Sequence, residues 1–117
     1  MINEINKIYT RPWGTYQTLH LDAIYQIKII TVSPGGKLSL QKHSKRAEHW
    51  VVTEGQPTIT IDDNVKVYKT NDHVFIPIEA LHRIENTTAE IAQIVEVQVG
   101  TYLGEDDIVR IDDIYGR

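Results

Sequence analysis

The 117-residue chain has no cysteine, only one phenylalanine, and no long apolar run. The absence of cysteine excludes disulfides and thiolate metal ligands. No segment approaches the roughly 20 apolar residues of a membrane-spanning helix, and the N-terminus has no basic region followed by an apolar stretch, so we expect a cytoplasmic protein with no membrane partner. The formal net charge of −4 argues against a nucleic-acid partner, which calls for a basic surface.

Short strand patterns separated by turn residues run through most of the chain. The two most pronounced, at 25–32 and 90–100, are dense in β-branched residues, and Asp62, Asp63 and Asn64 predict a hairpin turn between two further strands. No long amphipathic helix pattern interrupts them. Because short strands joined by frequent turns are typical of sandwiches and barrels, the sequence predicts an all-β protein, a double-stranded β-helix or jelly-roll barrel.

The length of the chain fits one domain, since a core of this size does not divide into two. We expect a single domain over residues 1–117. Within it we place an N-terminal arm at 1–10, the barrel core at 25–100 and a C-terminal tail at 101–117. The sequence leaves open whether the tail is a short helix or a loop packed across the barrel.

A metal-ligand pattern lies between two glycine-containing turns. Gln41 and His43 are two residues apart, so on a strand they project to the same face. A hairpin with residues 44–47 at its tip would place Glu48 opposite His43, and His82 is the best candidate for a fourth ligand. A lone Gln-x-His pair is common in surface and core positions, but the full set predicts one divalent metal ion. We favour zinc, with manganese, cobalt, nickel or iron as alternatives.

Two charged residues interrupt the strongest strand patterns. Lys28 either faces solvent on an edge strand or points into the barrel to meet an anion, and the pattern does not decide between the two. Glu96 shares a face with Gln98, and on the barrel interior it would be a buried carboxylate suited to proton transfer, whereas on the solvent side it would be ordinary. For Trp13 and Tyr16 we favour core packing.

The ligand set falls within the frame of the two cupin motifs. The first motif is matched in spacing by Gly35-x5-Gln41-x-His43-x4-Glu48-x6-Gly55, where Gln41 stands in place of the usual first histidine. The second is matched in spacing by Asn71-x5-Pro77-x-Glu79-x2-His82-x3-Asn86, where Asn71 and Glu79 stand in place of glycines. Because glutamate adopts the left-handed conformation less readily than asparagine or glycine, we expect the turn at Glu79 to differ.

Beyond the cupin frame, nearly the whole chain, from about Tyr9 to Arg117, resembles the type II mannose-6-phosphate isomerases. The segments that carry the resemblance include Arg11-Pro12-Trp13-Gly14, Arg46-Ala47-Glu48-His49-Trp50-Val51-Val52, His82-Arg83-Ile84-Glu85-Asn86, Glu96-Val97-Gln98 and Tyr102-Leu103-Gly104-Glu105-Asp106-Asp107-Ile108-Val109-Arg110. The resemblance implies a metal-dependent interconversion of mannose 6-phosphate and fructose 6-phosphate, with metal ligands at Gln41, His43, Glu48 and His82. In that family the cupin is commonly joined to a guanylyltransferase half, which this sequence does not contain, so we do not expect it to make GDP-mannose.

Aldose–ketose isomerisation moves a proton between two carbons next to a carbonyl, and a bound metal stabilises the enediolate charge. Glu96 and His49 are our candidates for the base, although His49 directly follows a ligand and would face away from the metal on a regular strand. The resemblance implies that Arg46 is a substrate-site cation, and Arg110 more weakly so. With Lys28, these cations could hold the phosphate of a phosphorylated hexose.

Several features leave room for other specificities and functions. Lys42, Gln56-Pro57 and Glu79 depart from the family pattern, and so sugar specificity can differ. The alternative function is a non-catalytic metal-containing cupin that binds a sugar phosphate or regulates a partner. A metal-dependent oxygenase is disfavoured, because Gln41 makes the site harder than a histidine would. We expect a homodimer, with the N-terminal arm as a candidate contact.

Overall fold

β-strands are the only regular elements between residues 3 and 116, the part of the chain that the computed structural model describes. In chain order they are β1 (Ile8–Arg11), β2 (Gly14–Leu21), β3 (Tyr25–Val32), β4 (Leu40–Lys42), β5 (Arg46–Glu54), β6 (Thr58–Ile61), β7 (Asn64–Val67), β8 (His73–Ile76), β9 (His82–Glu85), β10 (Ala92–Gly100) and β11 (Val109–Asp112). The described residues include no helix long and apolar enough to cross a membrane.

The strands form two sheets in which every pairing is antiparallel. The large sheet has the order β1-β2-β3-β10-β5-β8, and the small sheet has the order β11-β4-β9-β6-β7. From β3 onward the chain passes from one sheet to the other at each connection, except at the β6–β7 hairpin, where Ile61 pairs with Asn64 around the predicted turn. This alternation is the double-stranded β-helix, so the predicted all-β jelly roll is confirmed.

The sheets take in more of the chain than the 25–100 range that we assigned to the barrel core. β1 and β2 lie before that range and pair with each other. β11 lies after it and pairs with β4. The tail at 101–117 contains the short strand β11, which neither alternative from the sequence included, with turns and loop on both sides of it and no helix among its described residues. All four residues of β11 are exposed, so the strand has no alternating apolar pattern that could have revealed it. Residues 1, 2 and 117 of the predicted arm and tail lie outside the described part of the chain.

The core fills the half of the barrel next to the turn after β3. Residues from both sheets share it, including Val32 and Ile94 of the large sheet and Ile59 and Ile84 of the small one. Trp13 and Tyr16 are part of this cluster, as predicted. The other half of the barrel interior holds the site described below, which is lined by polar side chains and by the edge of the core, where Trp13 and Tyr16 lie.

Glu79 adopts the backbone conformation that a glycine usually supplies. Its φ is 72°, and that of Asn71 is 79°, so both substituted positions of the second motif are left-handed. Our expectation that the turn at Glu79 would change for lack of glycine is therefore wrong. The Glu79 N–H donates to the carbonyl of His43 at 2.9 Å, and its carboxylate lies 3.7 Å from the Lys42 ammonium. These contacts hold the turn against the loop that carries His43.

A close backbone approach at Gly100 brings the end of β10 against the start of β5. A Cβ added at Gly100 would lie 2.0 Å from the Lys45 carbonyl oxygen and 2.6 Å from the Arg46 Cα. We expect Gly100→Ala to lower the free energy of unfolding by about 2–3 kcal/mol, since both neighbours are backbone atoms that must shift. Chemical denaturation measures this loss. Thr101→Ala, at an exposed neighbouring position, is the control, and an equal effect in both variants would contradict the argument.

Candidate metal centre and substrate cavity

Polar side chains occupy the inner faces of the two central strands of the large sheet. Lys28 on β3 and Glu96 on β10 are opposite one another in the β3–β10 register, and they are 5% and 3% exposed. Gln26 and Gln98 lie beside them and are also buried. Lys28 therefore points into the barrel and not toward solvent, and the face that Glu96 shares with Gln98 is the interior one.

These residues border a cavity of about 450 Å³ at one end of the barrel. The volume is within the range of pockets that bind small molecules. Of the nine residues proposed from the sequence as ligands or catalytic groups, all but His49 line it, and they are Lys28, Gln41, His43, Arg46, Glu48, His82, Glu96 and Arg110. The fold thus gathers residues that are up to 82 positions apart in the chain around one space.

Three of the predicted metal ligands converge inside the cavity. One donor atom from each of His43, Glu48 and His82 lies within 4.8 Å of the others, and all three residues are buried. They do not come from the hairpin that we predicted with its tip at 44–47, because β4 pairs with β9 and β11, whereas β5 pairs with β10 and β8. The chain instead crosses from the small sheet to the large one here, and the cluster bridges the two sheets.

Gln41 lies next to this cluster on the small sheet. It pairs with His82 in the β4–β9 register, and cross-strand partners share a face. Its amide nitrogen donates to the Ser39 carbonyl at 3.4 Å, which leaves the amide oxygen as an acceptor. Its role as a fourth ligand stays a prediction.

Each of the three proposed ligands makes a hydrogen bond that determines which of its atoms is left for a metal ion. His43 Nδ1 lies 2.6 Å from the Asp107 carbonyl oxygen, and His82 Nδ1 lies 3.0 Å from that of Ala80. A carbonyl oxygen can only accept, so each Nδ1 carries a proton, and in a neutral imidazole of this tautomer Nε2 is the nitrogen with the lone pair. Trp50 donates its indole N–H to Glu48 Oε1 at 2.7 Å, and Oε2 is the carboxylate oxygen that lies 3.3 Å from His43 Nε2. Backbone-oriented imidazoles beside a carboxylate fit a divalent metal such as zinc.

Arg46 contacts two of the same donor atoms. Its Nε donates to Glu48 Oε2 at 3.0 Å, and its Nη2 lies 3.2 Å from His43 Nε2. A metal ion held by these atoms would therefore compete with the guanidinium for both. Burial alone raises the pKa of Glu48, but Arg46 and the two histidines outweigh it and lower the pKa. Burial lowers the pKa of His43 to about 4, so at neutral pH both groups are in the forms that bind metal.

The environment of the cavity disfavours the ionised form of Glu96. Burial is the main cause of its raised pKa, and the charge of Glu48 adds to it. Gln98 donates its side-chain N–H to Glu96 Oε1 at 3.0 Å. The arrangement pushes the pKa values of two neighbouring carboxylates apart, so that Glu48 stays ionised while Glu96 can hold a proton near neutral pH.

His49 is the candidate that lies outside the cavity. It is exposed on the outer side of β5, where its ring packs against Phe75 with the centroids 4.8 Å apart. Strand alternation accounts for this placement, because His49 follows the inward-facing Glu48. Of the two base candidates from the sequence, Glu96 is therefore the one that faces the site.

The segment after β10 supplies two site residues that the sequence analysis did not single out. Glu105 Oε1 lies 2.7 Å from the Lys28 ammonium, and its Oε2 lies 3.8 Å from Arg46 Nη1. Asp107 presents its carbonyl to His43, and its carboxylate accepts hydrogen bonds from the Ser44 hydroxyl and from the Ser44 and Lys45 N–H groups. The only available signal was their position in the Gly104–Arg110 segment of the family resemblance.

Replacement of Glu105 should destabilise the protein in a pH-dependent way. Burial raises its pKa, but Lys28 and Arg46 lower it more, so the folded pKa is below the unfolded one. The stability that the Glu105 carboxylate contributes is therefore fully present above its pKa in the unfolded state and is lost as pH falls through its pKa in the folded state. We expect Glu105→Gln to lower the free energy of unfolding by about 2 kcal/mol at neutral pH, because Lys28 loses its partner.

Urea unfolding of wild type and Glu105→Gln across the acidic range measures this effect. The gap between the two proteins should narrow on acidification, as the wild-type carboxylate also becomes neutral. Glu90→Gln, at an exposed position, is the control and should show no such gap. A gap that stays constant with pH would mean that packing, and not the charge, accounts for the loss.

A double-stranded β-helix with two histidines and a glutamate converging in its interior is a cupin with a candidate metal centre. Solved structures agree with the fold. A Klebsiella pneumoniae protein with a double-stranded β-helix domain matches with a TM-score of 0.75 at 16% identity, over 90% of this chain and 92% of that one. Oxalate decarboxylase from Lactobacillus farciminis matches with a TM-score of 0.76 at 20% identity, over 90% of this chain and 33% of that one.

Within the cupins, the chain belongs to the family described as mannose-6-phosphate isomerase C-terminal, whose model matches residues 2–113. The alginate biosynthesis protein AlgA of Pseudomonas putida is 49% identical over 92% of this chain and 22% of its own length. The mannose-1-phosphate guanylyltransferase of Escherichia coli is 44% identical over 98% of this chain and 24% of its own length. The chain thus spans less than a quarter of these relatives.

Proposed function

We propose that this domain is a metal-dependent sugar-phosphate isomerase that interconverts mannose 6-phosphate and fructose 6-phosphate. The observation that carries the proposal is the buried cluster of His43, Glu48 and His82 in a cavity that also holds cations and a carboxylate with a raised pKa. Membership of the mannose-6-phosphate isomerase C-terminal family supports the choice of substrate.

The proposed chemistry divides the cavity residues by role. His43, Glu48 and His82 would hold the metal, with Gln41 as the fourth ligand. When bound, the ion supplies Lewis-acid stabilisation of the negative charge that develops on the sugar oxygens. Glu96 in its ionised form would take the proton from C2 of the open-chain aldose and return it to C1, and its raised pKa makes this carboxylate a stronger base.

The cations differ in their availability to a phosphate. Lys28 and Arg46 are buried and already paired with carboxylates, Lys28 with Glu105 and Arg46 with Glu48 and Glu105. Arg110 lies on the exposed strand β11 and lines the cavity, and among residues 3–116 it has no ion pair. We therefore assign the phosphate of the substrate to Arg110 first, because its guanidinium fork needs no partner to be displaced.

Arg110→Gln should raise the KM for mannose 6-phosphate by about tenfold and leave kcat nearly unchanged, because a phosphate contact far from the reacting carbons contributes uniform binding. Steady-state kinetics on the metal-loaded protein measure both constants. Lys69→Gln removes an exposed positive charge that does not line the cavity and serves as the control. A fall in kcat at constant KM would place Arg110 at the reacting atoms instead.

The decisive experiment for the isomerase is turnover of mannose 6-phosphate by metal-reconstituted protein, with fructose 6-phosphate as the measured product. A His43→Ala/His82→Ala variant is the control. Activity that requires the metal and disappears in the variant is the expected result. A folded, metal-loaded protein that binds mannose 6-phosphate in calorimetry without turning it over would support the non-catalytic alternative and reject the enzyme.

A further inference from the structure

Three buried polar side chains of the large sheet have no part in the chemistry proposed above. Thr18, Gln26 and Gln98 lie on the inner faces of the adjacent strands β2, β3 and β10, and each is at most 1% exposed. Burial of hydroxyl and amide groups costs free energy unless they are hydrogen-bonded. Apolar side chains of similar shape would fill the same space without that cost, so the polarity of these positions calls for an explanation.

The three side chains form one hydrogen-bonded chain that ends on Glu96. The Thr18 hydroxyl donates to Gln26 Oε1 at 2.7 Å, and the Asn3 amide donates to the same oxygen at 3.3 Å. Gln26 donates its side-chain N–H to Gln98 Oε1 at 2.9 Å. Gln98 in turn donates to Glu96 Oε1 at 3.0 Å. Every member of the chain therefore donates in the direction of the carboxylate.

The orientation of each amide in the chain follows from that of its neighbour. An ionised carboxylate can only accept hydrogen bonds, so Gln98 must turn its nitrogen toward Glu96 and its oxygen toward Gln26. Gln26 must then supply an N–H, and its own oxygen faces the Thr18 hydroxyl. Thr18 therefore helps to orient a carboxylate with which it has no hydrogen bond of its own.

Lys28 occupies the place from which a charged donor could have reached Glu96. In the sheet register it lies opposite Thr18 on one side and opposite Glu96 on the other. In the described part of the chain its ammonium pairs with Glu105 at 2.7 Å and not with Glu96. The hydrogen bond to Glu96 thus comes from a neutral amide, which orients a carboxylate with less loss of basicity than an ion pair causes. This suits a carboxylate that has to accept a proton.

We infer that Thr18, Gln26 and Gln98 are positioning residues that hold the Glu96 carboxylate for proton transfer. This role rests on the proposed function, in which Glu96 is the base. The chain uses only Oε1, so we assign the proton of C2 to Oε2. Proton transfer requires the accepting oxygen to lie within reach of the proton, and a displacement of about 1 Å can lower a rate by about 100-fold. Thr18 does not line the cavity, so its effect on catalysis must pass through the chain.

Two substitutions at Thr18 separate its hydroxyl group from its packing. Thr18→Val keeps the shape of the side chain and loses the donor, whereas Thr18→Ser keeps the donor and loses the methyl group. We expect Thr18→Val to lower kcat for mannose 6-phosphate by about tenfold with KM unchanged, and Thr18→Ser to stay within about twofold of wild type. If Thr18 served only packing, the order of the two variants would be reversed.

Deuterium at C2 of mannose 6-phosphate reports on the proton-transfer step itself. A misplaced carboxylate slows this step relative to binding and release, so the isotope effect on kcat should be at least as large in Thr18→Val as in wild type. Zn²⁺ affinity should be the same in both proteins, and thermal unfolding should show that both are folded. Thr15→Val makes the same substitution on the outward side of the same strand and should behave as wild type.

Equal kcat in wild type, Thr18→Val and Thr18→Ser would overturn the positioning role and leave the isomerase intact. A lower kcat in Thr18→Val with a smaller isotope effect would also overturn it, because the loss would then lie in another step. Absence of turnover in metal-loaded wild type would reject the proposed function itself, and the role of the chain with it.

Discussion

Glu48→Gln is expected to lower the affinity for Zn²⁺ by more than about 100-fold. This exceeds the roughly 10–100-fold loss that is typical when a residue that only hydrogen-bonds to a metal ligand is replaced. The carboxylate is the only anionic member of the cluster of His43, Glu48 and His82. Its loss should also lower the free energy of unfolding of the metal-free protein by about 3 kcal/mol, since Arg46 is then a buried cation without its closest partner. Competition with a chromophoric chelator measures the affinity, and urea unfolding measures the stability.

Glu54→Gln is the matched control, because Glu54 ends the same strand at an exposed position. It should change neither quantity. Unchanged Zn²⁺ affinity in Glu48→Gln would show that the ion does not use this carboxylate. A loss of affinity without a loss of metal-free stability would mean that Arg46 finds compensation elsewhere, with Glu105 at 3.8 Å as the nearest choice.

Arg46→Met should make the protein more dependent on metal. Without an ion, Arg46 is the closest positive partner of the buried Glu48, so its removal should lower the free energy of unfolding by about 3 kcal/mol. A bound dication neutralises the same carboxylate and no longer competes with a guanidinium for His43 Nε2. Saturating Zn²⁺ should therefore stabilise Arg46→Met by more than it stabilises wild type, through linkage between binding and folding.

Urea unfolding with and without Zn²⁺ gives the two stabilisation energies. Lys45→Met removes a neighbouring but exposed charge and should leave both as in wild type. If Zn²⁺ stabilises wild type and Arg46→Met equally, the guanidinium does not compete with the metal. Isomerase activity should fall in Arg46→Met even when metal is bound, because Arg46 also lines the cavity beside the proposed ligands.

The residues that could be identified from the sequence are those whose spacing repeats along a strand. The alternation in β3 and β10 predicted the two strands, but it did not show which face of each strand points into the barrel. Both orientations of Lys28 therefore stayed open until the structure showed that its side chain is buried beside the cavity. The motif frame placed His43, Glu48 and His82 together. It did so for the wrong local reason, because the predicted hairpin is a crossing between sheets and the contact is made across the barrel.

Contacts between distant segments account for what the sequence did not reveal. Glu105 meets Lys28 across 77 positions, and Asp107 meets His43 across 64. An acidic run in a C-terminal segment is usually a solvated surface, and no periodicity marks these two as exceptions. β11 was missed because all its residues are exposed, so its pairing with β4 rests on backbone hydrogen bonds, which a pattern of side chains does not report.

The position of β10 has a consequence for synthesis on the ribosome. β10 pairs with β3 on one side and β5 on the other, and these two strands do not pair with each other. A nascent chain that ends before residue 92 therefore holds β1-β2-β3 and β5-β8 as separate pieces with unpaired edges. The large sheet can close only when β10, its last strand in chain order, has left the exit tunnel, so folding is expected to follow translation of nearly the whole domain.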